Sequence, residues 1–270
     1  MGLEHSRIKA VLCMDLDGTL IDHDESAHPR DIEILNHFPE EVLPVLATGR
    51  SLPSAKGVFK QNGILTEGPL PLASVVMNGT AVQLPGEEVI KLEYLESTLL
   101  KDLLQLPALF PSTAFFFYQP ADCYLINPTE AGRRLSNLHY LNASESSPEG
   151  IPPQINKVMA VDKNLATVEQ IRRQTQSYAA EMGTSLPYIL EFSPLGITKA
   201  KGVQFLLAAM GLNSLPIFAV GDGENDLTLK SMVQRFFTPN TAQSAIQQQA
   251  DCVIDRAKNG LLAPVLAQIL

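Results

Sequence analysis

Residues 10–14, Ala-Val-Leu-Cys-Met, form an unbroken apolar run that stops at Asp15-Leu16-Asp17-Gly18. A short run without polar alternation reads as a strand covered on both faces, as in a parallel sheet between helical layers. The C-terminal ends of such strands form the ligand edge of an open α/β sheet. Two carboxylates at that tip are costly to desolvate unless a cation or a hydrogen-bonding partner compensates them. The stretch therefore asks for an α/β fold with something positive at its end. An Asp-x-Asp also arises in ordinary turns, so the rest of the chain has to support the reading.

Two more units of the same kind follow. Val45-Leu46-Ala47 leads into Thr48-Gly49-Arg50, with Pro44 placed at the strand's entry because proline is rare inside a central strand. Ser74–Met77 ends at Asn78-Gly79. Helical spacing lies between them over Arg30–Phe38 and Ser51–Asn62, the second closed by Gly63. This alternation predicts a doubly wound parallel, Rossmann-like sheet. From 83 to 191 the pattern mixes strands and helices. Phe115–Tyr118 and Lys157–Val161 read as strands, Ala166–Met182 as a helix closed by Gly183, and Ser144–Pro153 as a loop. The aromatic run at 115–118 is read as sheet packing rather than a substrate platform.

The first pattern then returns. A helix is expected over Lys201–Met210, strands over Pro216–Val220 and Cys252–Ile254, and helices over Leu227–Val233, Ala242–Gln249 and Gly260–Leu270. The expected division is a core of 1–82 and 192–270, interrupted by an inserted α/β cap domain at 83–191. The strand at 216–220 again ends in acid, at Gly221-Asp222-Gly223-Glu224-Asn225-Asp226. The two glycines there do not make a dinucleotide loop, since Asp226 at the third glycine position would repel a pyrophosphate.

Parallel strands place their C-terminal ends on one edge, so Asp15, Asp17, Thr48, Asn78, Asp222, Asn225 and Asp226 converge there. Clustered carboxylates, with no His or Cys at ligand spacing, select a hard cation such as Mg2+. An acidic Mg2+ site on an α/β sheet suits phosphoryl chemistry, in which cations offset charge on the transferred group.

With these motifs in order, the chain resembles the haloacid dehalogenase (HAD) superfamily phosphatases, Cof-type with a C2B cap. Asp15-Leu16-Asp17-Gly18-Thr19-Leu20, Leu46-Ala47-Thr48-Gly49-Arg50, Gly196-Ile197-Thr198-Lys199 and Gly221–Asp226 match the four family motifs. Val76-Met77-Asn78-Gly79 resembles the strand before the cap. The resemblance implies that Asp15 is a nucleophile forming an aspartyl-phosphate. Asp17 would be the general acid and base, holding a proton at neutral pH under its negative neighbours. Mg2+ would sit on the Asp15 carboxylate, the Asp17 main-chain carbonyl and Asp222, with Asp226 holding its waters. Leu16, Thr48, Gly49, Lys199 and Asn225 would bind the phosphoryl group. Two lysines compete for the third motif: Lys199 has the spacing from Gly196, and Lys201 is the alternative. Arg50 is read as an ion-pairing or surface residue rather than a catalytic one.

The implied activity is hydrolysis of a small phosphorylated metabolite, a sugar phosphate. A phosphomutase or other phosphoryl-transfer enzyme and a non-catalytic phosphometabolite-binding module are the alternatives. Dehalogenation is disfavoured, because that chemistry does without the Asp17 acid. The cap would close over the core and select the substrate. Tyr118, Tyr124, Arg133 and Arg134 are its candidate contacts, each weighed against a structural or solvated role.

Composition narrows the partners. A net charge of −9 without a basic block argues against nucleic acid and anionic membrane. No apolar run reaches the roughly 18 residues of a membrane span. Three distant cysteines, Cys13, Cys123 and Cys252, read as reduced thiols of a cytoplasmic protein, and no signal-peptide pattern precedes the first strand. Met1-Gly2-x-x-x-Ser6 fits an acylation pattern but lacks a polybasic second anchor, and the Asn142-Ala143-Ser144 sequon would stay unused in the cytoplasm. The oligomeric state is not written in the sequence.

Overall fold

In the computed structural model, which describes residues 7–64, 68–87, 89–139, 141–184 and 186–270, the apolar run becomes β1 (Ala10–Met14), buried at every position. Its side chains alternate between two cores: Leu12 and Met14 belong to one, Val11 and Cys13 to the other. Both faces being covered, no polar alternation is left in the sequence. Each of the larger side chains contributes about 1.5–3 kcal/mol through burial.

β2 (Val42–Ala47) and β3 (Ala73–Val76) extend the sheet in parallel. Pro44 lies inside β2, opposite Leu12, and not at the strand's entry as expected. β3 begins only opposite Val45, so on that side position 44 has no ladder partner for its missing N–H to forfeit. β4 (Ala81–Gln83) and β5 (Val89–Leu92) then turn back as an antiparallel extension.

The chain next builds a second sheet from β6 (Ala114–Tyr118), β7 (Cys123–Ile126), β8 (Ser144–Glu145), β9 (Lys157–Val161), β10 (Ala180–Gly183) and β11 (Ile189–Pro194), in the order β10-β11-β9-β6-β7-β8. Its ladders are antiparallel except β7 with β8. Phe115 and Phe117 pack into this unit's own core, while Phe116 and Tyr118 join a cluster with Val76, Met77 and Ala81 of the first sheet. Phe115, Phe116 and Phe117 are sheet packing, as expected, while Tyr118 packs with them and also faces the cavity above the first sheet. The helix expected over 166–182 ends early, as Leu165–Thr175, and 180–183 instead pair as β10 with 191–194. Edge pairing overrides the helical propensity of Ala180, Glu181 and Met182.

The helix Lys199–Met210, ended by Gly211 at φ 69°, leads back to the first sheet. There β12 (Ile217–Val220), β13 (Arg235–Pro239) and β14 (Cys252–Ile254) complete the order β14-β13-β12-β1-β2-β3-β4-β5. The helices expected over 227–233, 242–249 and 260–270 shrink to a 3-10 turn at Asp226–Ser231 and to Ser244–Gln247 and Leu262–Leu266. β1 lies between β2 and β12, so the strand order reverses there and a crevice forms at its C-terminal end. The fold is the expected α/β one, a doubly wound parallel sheet carrying an inserted α/β unit. The cysteines are free, and no helix among the described residues is long and apolar enough to cross a membrane. The Met1–Ser6 pattern lies outside the described residues.

Candidate active site

Asp15 follows β1 directly, and its amide donates to the Val220 carbonyl at 3.0 Å, which fixes it beside the end of β12. The buried Lys199 ammonium donates to Asp15 Oδ1 at 2.6 Å and to Asp226 Oδ1 at 2.7 Å. Lys199 opens its helix because Thr198 caps it, the threonine hydroxyl accepting from the Lys201 amide at 3.3 Å. Lys201 itself is exposed, so Lys199 is the lysine that reaches the carboxylates. Two glycines let this helix start against the end of β3. A Cβ on Gly202 would lie 2.4 Å from Val75 Cγ1, and one on Gly79 2.2 Å from the Thr198 carbonyl oxygen.

Asp226 Oδ2 accepts from the amides of Asp222 at 3.1 Å and Gly223 at 3.0 Å, so the 221–226 loop folds around its own carboxylate. Asp222 Oδ1 accepts from the Thr19 hydroxyl at 2.9 Å. Gly18, at φ 73°, passes so near that an added Cβ would lie 2.2 Å from Asp222 Oδ2. One oxygen from each of Asp15, Asp222 and Asp226 lies within 4.8 Å of the others. An all-oxygen donor set of this charge fits a hard divalent cation. Burial, then the neighbouring Asp226, push the Asp15 carboxyl well above its ordinary range and Asp222 up to about 6, against the pull of Lys199. One lysine does not balance two buried acids and the half-buried Asp222.

Asp17 meets the opposite environment. Its side chain, 47% exposed, faces the cavity and receives a bidentate pair from Arg50, Nη2 to Oδ1 at 2.6 Å and Nε to Oδ2 at 2.9 Å. Partial desolvation in the crevice works to raise its pKa, but the hydrogen bonds and charge of Arg50 outweigh it and the net shift is downward. The expected proton on Asp17 is therefore not favoured in this conformation, because a guanidinium stands where only carboxylates were foreseen. The same Arg50 Nη2 donates to Glu25 Oε1 at 2.8 Å, a buried acid held at φ 64°. Arg50 is an ion-pairing residue, but a buried one.

The remaining predicted residues gather on the same edge. The buried Thr48 hydroxyl accepts from the Arg50 amide at 3.1 Å, and Gly49 lines the cavity. Leu16 buries its side chain in the core, leaving only its main chain for a ligand. Asn225 Nδ2 donates to Asn78 Oδ1 at 3.0 Å.

Over these groups lies a cavity of about 420 Å³, whose far wall comes from the inserted unit through Tyr118, His139, Lys157, Tyr188 and Glu191. Of the cap contacts foreseen, only Tyr118 reaches it. Tyr124 donates to Gln119 at 3.2 Å, Arg133 pairs with Glu145, and Arg134 is exposed. Burial first, and Arg50 next, push His139 down to about 4, so its ring is neutral at physiological pH. Sequence reasoning missed Lys157 and Glu191, although each is the lone charge of a fully buried, mostly apolar strand, which is a legible signal. Glu25 and His139 carry no such mark.

The family model for haloacid dehalogenase-like hydrolases matches residues 12–266. The chain belongs to that family. This hydrolase is 23% identical over 250 residues to a phosphoglycolate phosphatase of Natronomonas pharaonis, with 91% of each chain covered. It overlays on a HAD/COF-like hydrolase of Plasmodium vivax at a TM-score of 0.83 and 23% identity, covering 99% and 97% of the two chains. A HAD subclass IIB sugar phosphatase gives 0.73 at 20% identity, covering 90% and 92%. These likenesses place the fold of both sheets in the family.

Proposed function

We propose that this hydrolase is a Mg2+-dependent phosphatase that cleaves a small sugar phosphate through an aspartyl-phosphate on Asp15. The observation that carries the reading is Lys199 held between Asp15 and Asp226 at 2.6 and 2.7 Å, at the sheet edge where Thr48, Gly49 and Asn225 also stand. A carboxylate attacks a phosphate anion only when nearby positive charge offsets their repulsion. Asp15, the Asp17 carbonyl, Asp222 and Asp226 would hold Mg2+, which when bound supplies further positive charge at the developing anion.

Asp15 attacks phosphorus while the bond to the leaving oxygen breaks, and Asp17 gives that oxygen its proton. Asp17 then takes a proton from water as the water attacks the phosphorus of the aspartyl-phosphate, which frees orthophosphate and restores the Asp15 carboxylate. The first step needs Arg50 to yield Asp17 to the substrate. Glu25, already accepting from the same guanidinium, is placed to keep it as it does so. In the second step the ionised form of Asp17, which the Arg50 pair favours, is the form required of a base.

The leaving-group end of the cavity supports a neutral polyol. Its guanidinium, Arg50, is committed to Asp17 and Glu25, and its ammonium, Lys157, to Glu191. A carboxylate such as that of phosphoglycolate would meet acids there, whereas hydroxyl groups can donate to them. The division into core and cap is part of the same proposal, with β5 counted on the core side because it pairs with β4.

Turnover of p-nitrophenyl phosphate with Mg2+, followed by a panel of hexose and pentose phosphates beside phosphoglycolate, tests the reading. Hydrolysis that prefers the neutral sugars is expected. Inactivity toward every ester, or a preference for phosphoglycolate, would contradict the mechanism or the substrate class respectively.

A further inference from the structure

The phosphate-binding loops of the core are tied to two buried charges of the inserted unit. Lys157 Nζ donates to the Gly49 carbonyl at 3.0 Å and to Glu191 Oε1 at 2.6 Å. Glu191 Oε2 accepts from Asn78 Nδ2 at 2.8 Å, and Asn78 Oδ1 accepts from Asn225 at 3.0 Å. Lys157 and Glu191 are 3% and 5% exposed, so neither charge is there for solubility. On the core side, the Asn78 amide donates to the Thr48 carbonyl at 3.1 Å and the Met77 amide to the Arg50 carbonyl at 2.8 Å. Loops 48–50 and 77–78 therefore form one unit, and the ion pair grips it at both ends. Asn78 holds its place at φ 57°, a conformation that most side chains avoid.

We infer that Lys157 and Glu191 are positioning residues for the phosphoryl group: the inserted unit, when seated, sets Gly49 and Asn225 in register through the chain Lys157–Glu191–Asn78–Asn225. This rests on the phosphatase reading and extends it, giving the cap a part in the chemistry common to every substrate. Breaking one partner of a buried ion pair leaves the other uncompensated. The informative variants are therefore Lys157→Met with Glu191→Gln together, and separately Asn78→Gly, which cuts the chain on the core side at a φ that glycine tolerates.

Two readouts are needed: kcat and KM for p-nitrophenyl phosphate, and the affinity of orthophosphate with Mg2+ by calorimetry. Both variants should lose kcat on the order of 10- to 100-fold, as small misplacements of reacting groups do, and bind orthophosphate correspondingly more weakly. If orthophosphate affinity and aryl-phosphate kcat stay at wild-type values while only the ranking of larger esters changes, the pair serves the leaving group and the inference is overturned. A wild-type protein that hydrolyses no ester, yet whose orthophosphate affinity falls in both variants, would keep the bridge and reject the phosphatase reading.

Discussion

Asp15 and Asp17 stand two residues apart and meet opposite fields. Asp15 is buried among acids with one lysine, while Asp17 faces the cavity against Arg50. Asp17→Asn removes the proton carrier but keeps the main-chain carbonyl assigned to the metal, so a loss of about 10²- to 10⁴-fold is expected with alkyl phosphates. With p-nitrophenyl phosphate, whose leaving group needs no proton, the mutant should show a burst followed by slow turnover in rapid-quench runs. An equal loss in both steps for every leaving group would remove Asp17 from acid–base work.

The raised carboxyl groups give a second prediction. Asp222 folds with a pKa of about 6, above the unfolded carboxylate value. Between roughly pH 4 and pH 6 the metal-free folded state thus binds more protons than the unfolded one, and its stability falls as pH rises through that window. Mg2+ should therefore raise the Tm more at about pH 7.5 than at about pH 5. Equal increments at the two pH values in thermal scans would contradict the acidic site. At this scale Asp15, Asp17 and Asp222 are legible in sequence because acids at strand ends lack a structural use, and Lys199 is legible through its spacing from Gly196 in the third motif. Asn78 is legible as a strand-end residue and Lys157 and Glu191 as lone charges, but the bridge they form depends on partners up to 113 positions away, as in the Asn78–Glu191 hydrogen bond. Glu25 gains its role only beside Arg50.

The helix Lys199–Met210 shows how an element delivers one side chain. Its first turn sits against β3 at a distance only glycine allows, and Lys199 begins that turn. Gly202→Ala must push the helix away from Val75. We expect a destabilisation of about 1–3 kcal/mol together with a fall in kcat as Lys199 withdraws from Asp15. Thermal melts and kinetics measure the two, and lost stability with unchanged kcat would mean that helix docking does not set the lysine. Elements buried on both faces are the ones the sequence announces: β1, β2, β3, β9 and β12 all match apolar runs. β13 escapes notice because Arg235 and Thr238 flank its aromatic pair and leave an apolar run of only two residues, and β10 because its residues favour helix until β11 lies beside them. The hairpin of β4 and β5 is too short to show a period.

On the scale of the whole molecule, the inserted unit closes the cavity and buries Val76, Met77 and Ala81 against its aromatic strand. Replacing residues 94–194 with a short linker keeps the first sheet's strands intact and exposes that face, so the variant should be less stable. It should still cleave small aryl phosphates slowly but lose discrimination among metabolites, since the core sees mainly the phosphoryl group. A folded variant that retained the parental substrate ranking would show that specificity resides in the core. The central claim, covalent catalysis by Asp15, is tested most directly by acid-quenching the enzyme within its first turnover of a radiophosphorus-labelled aryl phosphate and mapping the label. A labelled acyl-phosphate on the peptide carrying Asp15, absent from a natively folded Asp15→Asn protein, is the predicted result. Continued turnover by Asp15→Asn, or label on another residue, would contradict it.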